Sequence, residues 1–340
     1  MDAAGSLEEL LARSGPAAVM ISGAEQSAWS GEIVEATGES LGLAHWDGTL
    51  YLGERILDPL RQMYARSGER QPTADLVRYR ESLATILHEH AHFLGPADAD
   101  QEAARGAFIQ PGGRQLEEGI TEAWARDHLN DFLTHLGVDK VAPGIEDVHA
   151  DGYYPAFVPA ARILTTDLEK RTNLNRGDVL NTLNRQTAEG QLPTLVALLY
   201  NSTRLPDLDS AEQAAANRTH LEALLRDGLA RLDAYQHHPP GFAAARSRSL
   251  TGELLTRVQA HLTSAESAHH PHPTACALPA PRLPTPTARA GPDARSSARL
   301  VPSPVDAAFS GLAPPTAVSP IHGSAVPAGR VRSPSQALSR

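Results

Sequence analysis

The stretch Ala84–Pro96, ATILHEHAHFLGP, decides how the rest of the chain is read. Ile86, Leu87, Ala91 and Leu94 continue an apolar pattern that begins at Leu76 and Leu83, with the spacing of a helix face. Thr73 or Asp75 offers an N-cap. Gly95-Pro96 predicts the stop, with Gly as the left-handed residue and Pro forbidding continuation. On such a helix His88 and His92 stand at i and i+4, on one face and one turn apart. Two imidazoles so placed can hold one zinc ion at about 2.0–2.1 Å each. Glu89, turned by about 100° from His88, reaches a water at the metal without being a ligand. The expected chemistry is a water whose pKa the metal lowers toward ~7, with Glu89 as general base. His90 lies two residues from each ligand and points to another side of the helix, so it is read as a packing residue.

A catalytic zinc site needs a third protein ligand and an open position. The segment Gln115–Leu129, QLEEGITEAWARDHL, supplies the candidate. It opens a helix predicted over Gln115–Leu136, with Trp124, Leu129, Phe132, Leu133 and Leu136 as its apolar stripe and Gly137 as its end. Glu118 and Glu122 share a face of it. Glu118 is taken as the third ligand, and Glu122 as the acceptor that orients a ligand histidine through its other ring nitrogen. Glu117, about 100° away, is the alternative ligand.

HExxH on one helix, followed by EEGITE (Glu117–Glu122) on a second, resembles the gluzincin metallopeptidases. In that family a Glu ligand on the second helix is followed four positions later by another acidic residue, and Glu118 and Glu122 fall at those two places. The 25 residues between His92 and Glu118 suit a short connection between the helices. The resemblance covers about residues 41–136, and it implies a zincin-like core, one zinc per chain and peptide-bond hydrolysis. Gluzincins commonly polarise the scissile carbonyl with a Tyr or His downstream of the ligand Glu. Here Asp147–Arg162, DVHADGYYPAFVPAAR, offers His149, Tyr153 and Tyr154, with Tyr154 at a loop edge before Pro155. Arg162 is read as a surface residue, with binding of a substrate carboxylate as its other use.

Upstream, Leu41–Gly53 (LGLAHWDGTLYLG) carries two short apolar runs around Asp47-Gly48, a hairpin turn signal. Its strand-like part WDGTLYL (Trp46–Leu52) looks like the edge strand that borders the substrate cleft in such folds. Ile56–Ala65 reads as a short helix, Ser6–Ala12 as another, and Ala97–Gly113 as a polar loop. Between Val141 and about Ala260 the pattern is mostly helical, with segments at Pro155–Leu168, Asn175–Asn184, Leu192–Tyr200, Ala211–Tyr235 and Gly252–Leu262. Those helices are expected to form the other wall of the cleft. From Thr263 to Arg340 the chain is rich in Pro, Ala and Ser without a sustained period, and reads as a disordered tail.

The fold class expected is therefore α+β and mostly helical, with a small sheet flanking two zinc-binding helices. One metallopeptidase domain spans 1–262, in an N-terminal part of about 41–140 and a helical part of about 141–262, and 263–340 is the tail. The net charge of −10, and only Lys140 and Lys170 as lysines, disfavour a nucleic-acid partner. No apolar run approaches the ~20 residues of a membrane span. Met1–Ala17 lacks the basic and long apolar regions of a signal peptide. A cytoplasmic protein is expected, with export by a specialised route left open, and its partner is a peptide or protein substrate. The single cysteine, Cys276, excludes an internal disulfide and, in the tail, lacks the ordered partner a nucleophile needs. His269, His270 and His272 form a tract read as an adventitious metal binder. No GxSxG, P-loop or dinucleotide fingerprint is present. Two other readings stand beside the hydrolase. One is a non-catalytic helical interaction protein with a structural or vestigial zinc, whose fourth ligand would be His128 or His149. The other is a protease dedicated to one protein, its basic tail a docking arm.

Overall fold

The computed structural model describes residues 3–37 and 41–269. The elements run α1 Leu7–Ser22, β1 Gln26–Ser27, β2 Ile33–Ala36, β3 Gly42–Ala44, β4 Leu50–Gly53, α2 Glu54–Ala65, α3 Thr73–His92, β5 Leu94–Gly95, α4 Gln101–Phe108 and α5 Gly113–Leu136. They continue with α6 Val138–Val141, α7 Val158–Thr172, α8 Asp178–Asn184, α9 Ala188–Asn201, α10 Leu205–Leu208, α11 Ala211–Ala230 and α12 Pro240–Ala268. The mostly helical α+β class is what the sequence leads one to expect. The described residues fall in one compact unit. None of their helices is long and apolar enough to cross a membrane.

Helix α5 runs through the middle. It packs against α3, α7, α1, α8 and α9, and Ile120, Trp124, Phe132 and Leu133 on it are at most 1% exposed. Against it α3 sets Leu83, Ile86 and Leu87, all fully buried. Truncating Leu83, Ile86 or Leu87 to alanine would cost roughly 2–5 kcal/mol. Close packing at the N-terminal end of α5 needs Gly119, where a Cβ would stand 2.9 Å from the Phe157 carbonyl oxygen.

The small sheet has the order β2-β4-β3. β3 and β4 form the expected antiparallel hairpin, with Ala44 opposite Leu50 and Gly48 at φ 88° in its turn. β2 joins β4 in parallel. β4, which buries Leu50 and Leu52, is the middle strand and not the edge expected of Trp46–Leu52; β2 and β3 are the edges, and β3 lies on α3.

Several boundaries differ from the sequence reading. The first helix does not stop at Ala12 but continues through Pro16 to Ser22. Its N-terminus is capped by Ser6, whose Oγ accepts from the Glu9 N–H, and burial of Leu10, Leu11, Ala17 and Ala18 outweighs the missing proline N–H. Helix α3 starts after Pro72 without a side-chain cap, so neither Thr73 nor Asp75 plays that part. Gly95 is not a left-handed stop: it pairs with Gln26 in a two-stranded ladder, and Ala28 N–H donates to the Phe93 carbonyl at 2.7 Å. The loop expected over Ala97–Gly113 contains α4, whose N-terminal N–H groups are taken by Asp100. The last helix passes the expected boundary at 262 and reaches Ala268. His270, His272 and Cys276 lie outside the described residues.

Candidate metal centre

The last turn of α3 presents His88 and His92 toward α5, with ring centroids 4.7 Å apart. Their Nε2 atoms stand 3.0 Å from each other. Glu118 Oε2, from the second turn of α5, lies 3.4 Å from the first and 3.5 Å from the second. Each outer ring nitrogen meets a carboxylate. His88 Nδ1 is 2.9 Å from Glu122 Oε2, and His92 Nδ1 is 2.5 Å from Glu117 Oε1. Glu122 is itself held, its Oε1 accepting from Arg126 Nε at 2.8 Å and from the Tyr153 N–H at 2.9 Å.

This arrangement makes a direct test of fit to a metal. With His92 Nδ1 hydrogen-bonded to Glu117 and His88 Nδ1 ion-paired with Glu122, both Nε2 atoms turn lone pairs inward. They face each other and a buried Glu118 oxygen that has no hydrogen-bond partner. Three converging acceptors without a donor repel unless a cation sits among them. Ligand atoms about 2.0–2.1 Å from a tetrahedral centre stand roughly 3.3 Å apart, and the observed separations bracket that. His88, His92 and Glu118 can therefore hold a metal ion.

Without a metal the same geometry binds protons. Burial pushes the His88 imidazole down, but hydrogen bonding to Glu118 and Glu122 outweighs it and holds the pKa up at about 9. His92 is likewise raised against burial, through Glu117 and Glu118. Burial would raise the two acids, yet the histidines hold Glu118 well below the usual range and Glu122 at about 2.

Glu89 sits beside the triad, with its carboxyl raised by burial. The Ala44 N–H of β3 donates to its Oε2 at 2.8 Å. The same strand passes so close that a Cβ on Gly42 would be 2.7 Å from Glu89 Oε1. Tyr154 stacks on His88, centroids 5.6 Å apart and rings 14° from parallel. Burial, then the charges of Glu118 and Glu89, push its phenol far up, so it keeps its proton and can donate it to a hydrogen bond. Tyr154 holds a φ of 55°, which a bulky side chain rarely adopts, directly before Pro155, where the backbone is further restricted.

His88, Glu89, Gly42 and Tyr154 lie between two cavities. The smaller, about 140 Å³, extends past Trp46, Phe93 and Phe108. The larger, about 410 Å³, extends past Leu41, Tyr153, Pro155 and Gln236. The 141–262 part contributes to this lining through Gly152–Pro155, Gln236 and Pro240, segments outside or at the end of its helices, and not through the helix faces expected. The other candidates fall elsewhere. His149 is exposed and lines neither cavity. Arg162 is not free for a substrate carboxylate, because its guanidinium spans both oxygens of Asp127 at 2.9 and 2.7 Å. His128 meets Asn181 and Asp131. His90 is buried as a packing residue against Trp29. Its Nε2 donates to Ser14 Oγ at 2.6 Å, since that hydroxyl donates to the Leu11 carbonyl, and burial presses its pKa to about 3. His269 meets Asp209 at 2.6 Å.

Sequence reasoning placed Glu122 but not Glu117, which it weighed only as a ligand. The adjacent acids Glu117-Glu118 were the signal. It also missed the contribution of β3 to Glu89, which is made by backbone and carries no side-chain signature. Comparison of the chain with protein-family models, with curated proteins and with solved structures finds no match, so the functional argument rests on this geometry.

Proposed function

We propose that the chain is a zinc-dependent peptide-bond hydrolase with a zincin-like core. The observation that carries the reading is the triad of His88 Nε2, His92 Nε2 and Glu118 Oε2, 3.0–3.5 Å apart, opening on the cavity that also contains Glu89 and Tyr154. When bound, zinc would polarise the scissile carbonyl and acidify a water. Glu89, in a buried site that favours its protonated form, accepts a proton and later returns it to the leaving amine. The Ala44 N–H fixes which way that carboxylate points. Tyr154 donates to the developing oxyanion, and its stack on His88 and strained backbone hold the ring in place. Glu117 and Glu122 fix the tautomer and orientation of the two imidazoles.

A structural zinc would need a fourth protein ligand. Among the described residues only three side chains converge, and His128 and His149, the two candidates for a fourth, are engaged or exposed elsewhere. That favours the catalytic reading over the interaction protein. The test is elemental analysis of purified protein truncated after residue 269, paired with a peptide-cleavage screen. We expect about one zinc per chain, lost in His88→Ala, and turnover abolished in Glu89→Gln with metal retained. Absence of zinc after reconstitution, or full activity of Glu89→Gln, would sink the proposal.

A further inference from the structure

The smaller cavity has a feature that the zinc site does not use. Glu117 spends Oε1 on His92, while its Oε2 is buried, without a hydrogen-bond partner, on a side chain 6% exposed that lines the cavity. A buried carboxylate oxygen left without a donor is costly. Trp46, Phe93 and Phe108 stand on the same walls, and among the described residues no Lys or Arg does. Three carboxylates, Glu89, Glu117 and Glu118, face the space. An unpartnered carboxylate oxygen beside aromatic rings suits an ammonium or guanidinium group, which gains from both the carboxylate and the ring faces.

We infer that the smaller cavity is a subsite for a cationic nitrogen of the substrate, held by Glu117 Oε2 beside Trp46 and Phe108. The inference rests on the hydrolase reading. The cation can come from a Lys or Arg side chain within a polypeptide or from the α-ammonium of its first residue. The first source makes the enzyme an endopeptidase and the second an aminopeptidase.

The probes are peptides of one sequence blocked at both ends, with Lys, Arg, norleucine or Glu at a scanned position, and the norleucine peptide with a free N-terminus. Binding is read on zinc-loaded Glu89→Gln protein by calorimetry, and cleavage on the parent by mass spectrometry of products. We expect the Lys or Arg peptide, or the free-amine peptide, to bind about tenfold tighter than blocked norleucine. The product masses then assign the source. In Glu117→Gln the amide oxygen can still accept from His92, but an NH₂ donor faces the cavity. That variant should keep its zinc and lose the preference. If zinc is bound and peptides are cleaved while blocked norleucine binds as well as every cationic probe, the subsite is apolar and this inference falls alone. If no zinc binds, the hydrolase reading falls first. A preference unchanged in zinc-loaded Glu117→Gln would also overturn the assignment.

Discussion

Replacing Gly42 by alanine separates the position of Glu89 from everything else in the site. An ideal Cβ at residue 42 stands 2.7 Å from both Cγ and Oε1 of Glu89 and 3.0 Å from its Cδ. An ordinary contact between such atoms is about 3.5 Å, so the carboxylate must retreat by roughly 0.7–0.8 Å. The obstacle is the end of a flexible side chain, which can rotate away, so the fold should lose less than the roughly 1–3 kcal/mol typical of overpacking. The retreat breaks the bond from the Ala44 N–H, now 2.8 Å, and moves Glu89 off the position that the proposed proton transfer requires. A misplacement near 1 Å can cost on the order of 10²-fold in rate. The metal ligands are untouched. Gly42→Ala should therefore bind one zinc, melt within a few degrees of the parent and show kcat reduced by about 10²-fold with little change in KM. Zinc content, thermal melting and steady-state peptide turnover together decide it. A zinc-loaded Gly42→Ala enzyme with kcat within about twofold of the parent would refute the idea that β3 positions Glu89.

Zinc at 100 times its dissociation constant should stabilise the parent by about 2.7 kcal/mol, a rise in Tm of roughly 5–10 °C, read by calorimetry with and without chelator. In Glu118→Ala that rise should vanish. If it persists, another residue is the ligand. Arg162→Met should leave turnover unchanged and cost no more than about 1 kcal/mol, since the Asp127 pair is partly exposed and screened; a large rise in KM would return Arg162 to the substrate. Asp209 is a pH probe away from the site. Burial raises it, but hydrogen bonds from Asn217, Tyr200 and His269 outweigh that and lower its pKa. A carboxyl depressed in the folded state contributes stability that is present above its unfolded pKa of about 3.9 and lost as pH falls through the folded value. Asp209→Asn should thus flatten the fall in Tm below about pH 4, and an unchanged acid profile would count against the assignment.

The parts of this fold that the sequence disclosed are the local ones. The i, i+4 spacing of His88 and His92, the same spacing of Glu118 and Glu122, the Asp47-Gly48 turn and the Gly137 stop each depend on a few neighbouring residues, and each is found where expected. What stayed hidden depends on how elements meet. The first helix reads as ending at Ala12, but tertiary burial carries it through Pro16 to Ser22 despite one lost hydrogen bond. Gly95 reads as a left-handed cap, until β1 offers its backbone a partner. Arg162 is open to either use until Asp127, on another helix, is seen to claim it.

Helix α5 shows why periodicity alone could not find Glu117. From Gln115 through Ala125 every residue is buried, so no solvent face breaks the pattern and the polar positions carry no directional signal. That burial is also the strongest physical statement about the site. Glu117, Glu118 and Glu122 are each at most 7% exposed, and carboxylates in such surroundings are strongly destabilising unless paired. Two imidazoles and Arg126 supply the pairing, but only by converging lone pairs on one point and leaving oxygens of Glu117 and Glu118 without partners. A central helix that concentrates acids in this way gives up stability that apolar residues of similar volume would have supplied. The loss becomes intelligible if cations complete the arrangement: a metal ion against Glu118, and a charged nitrogen of the substrate against Glu117.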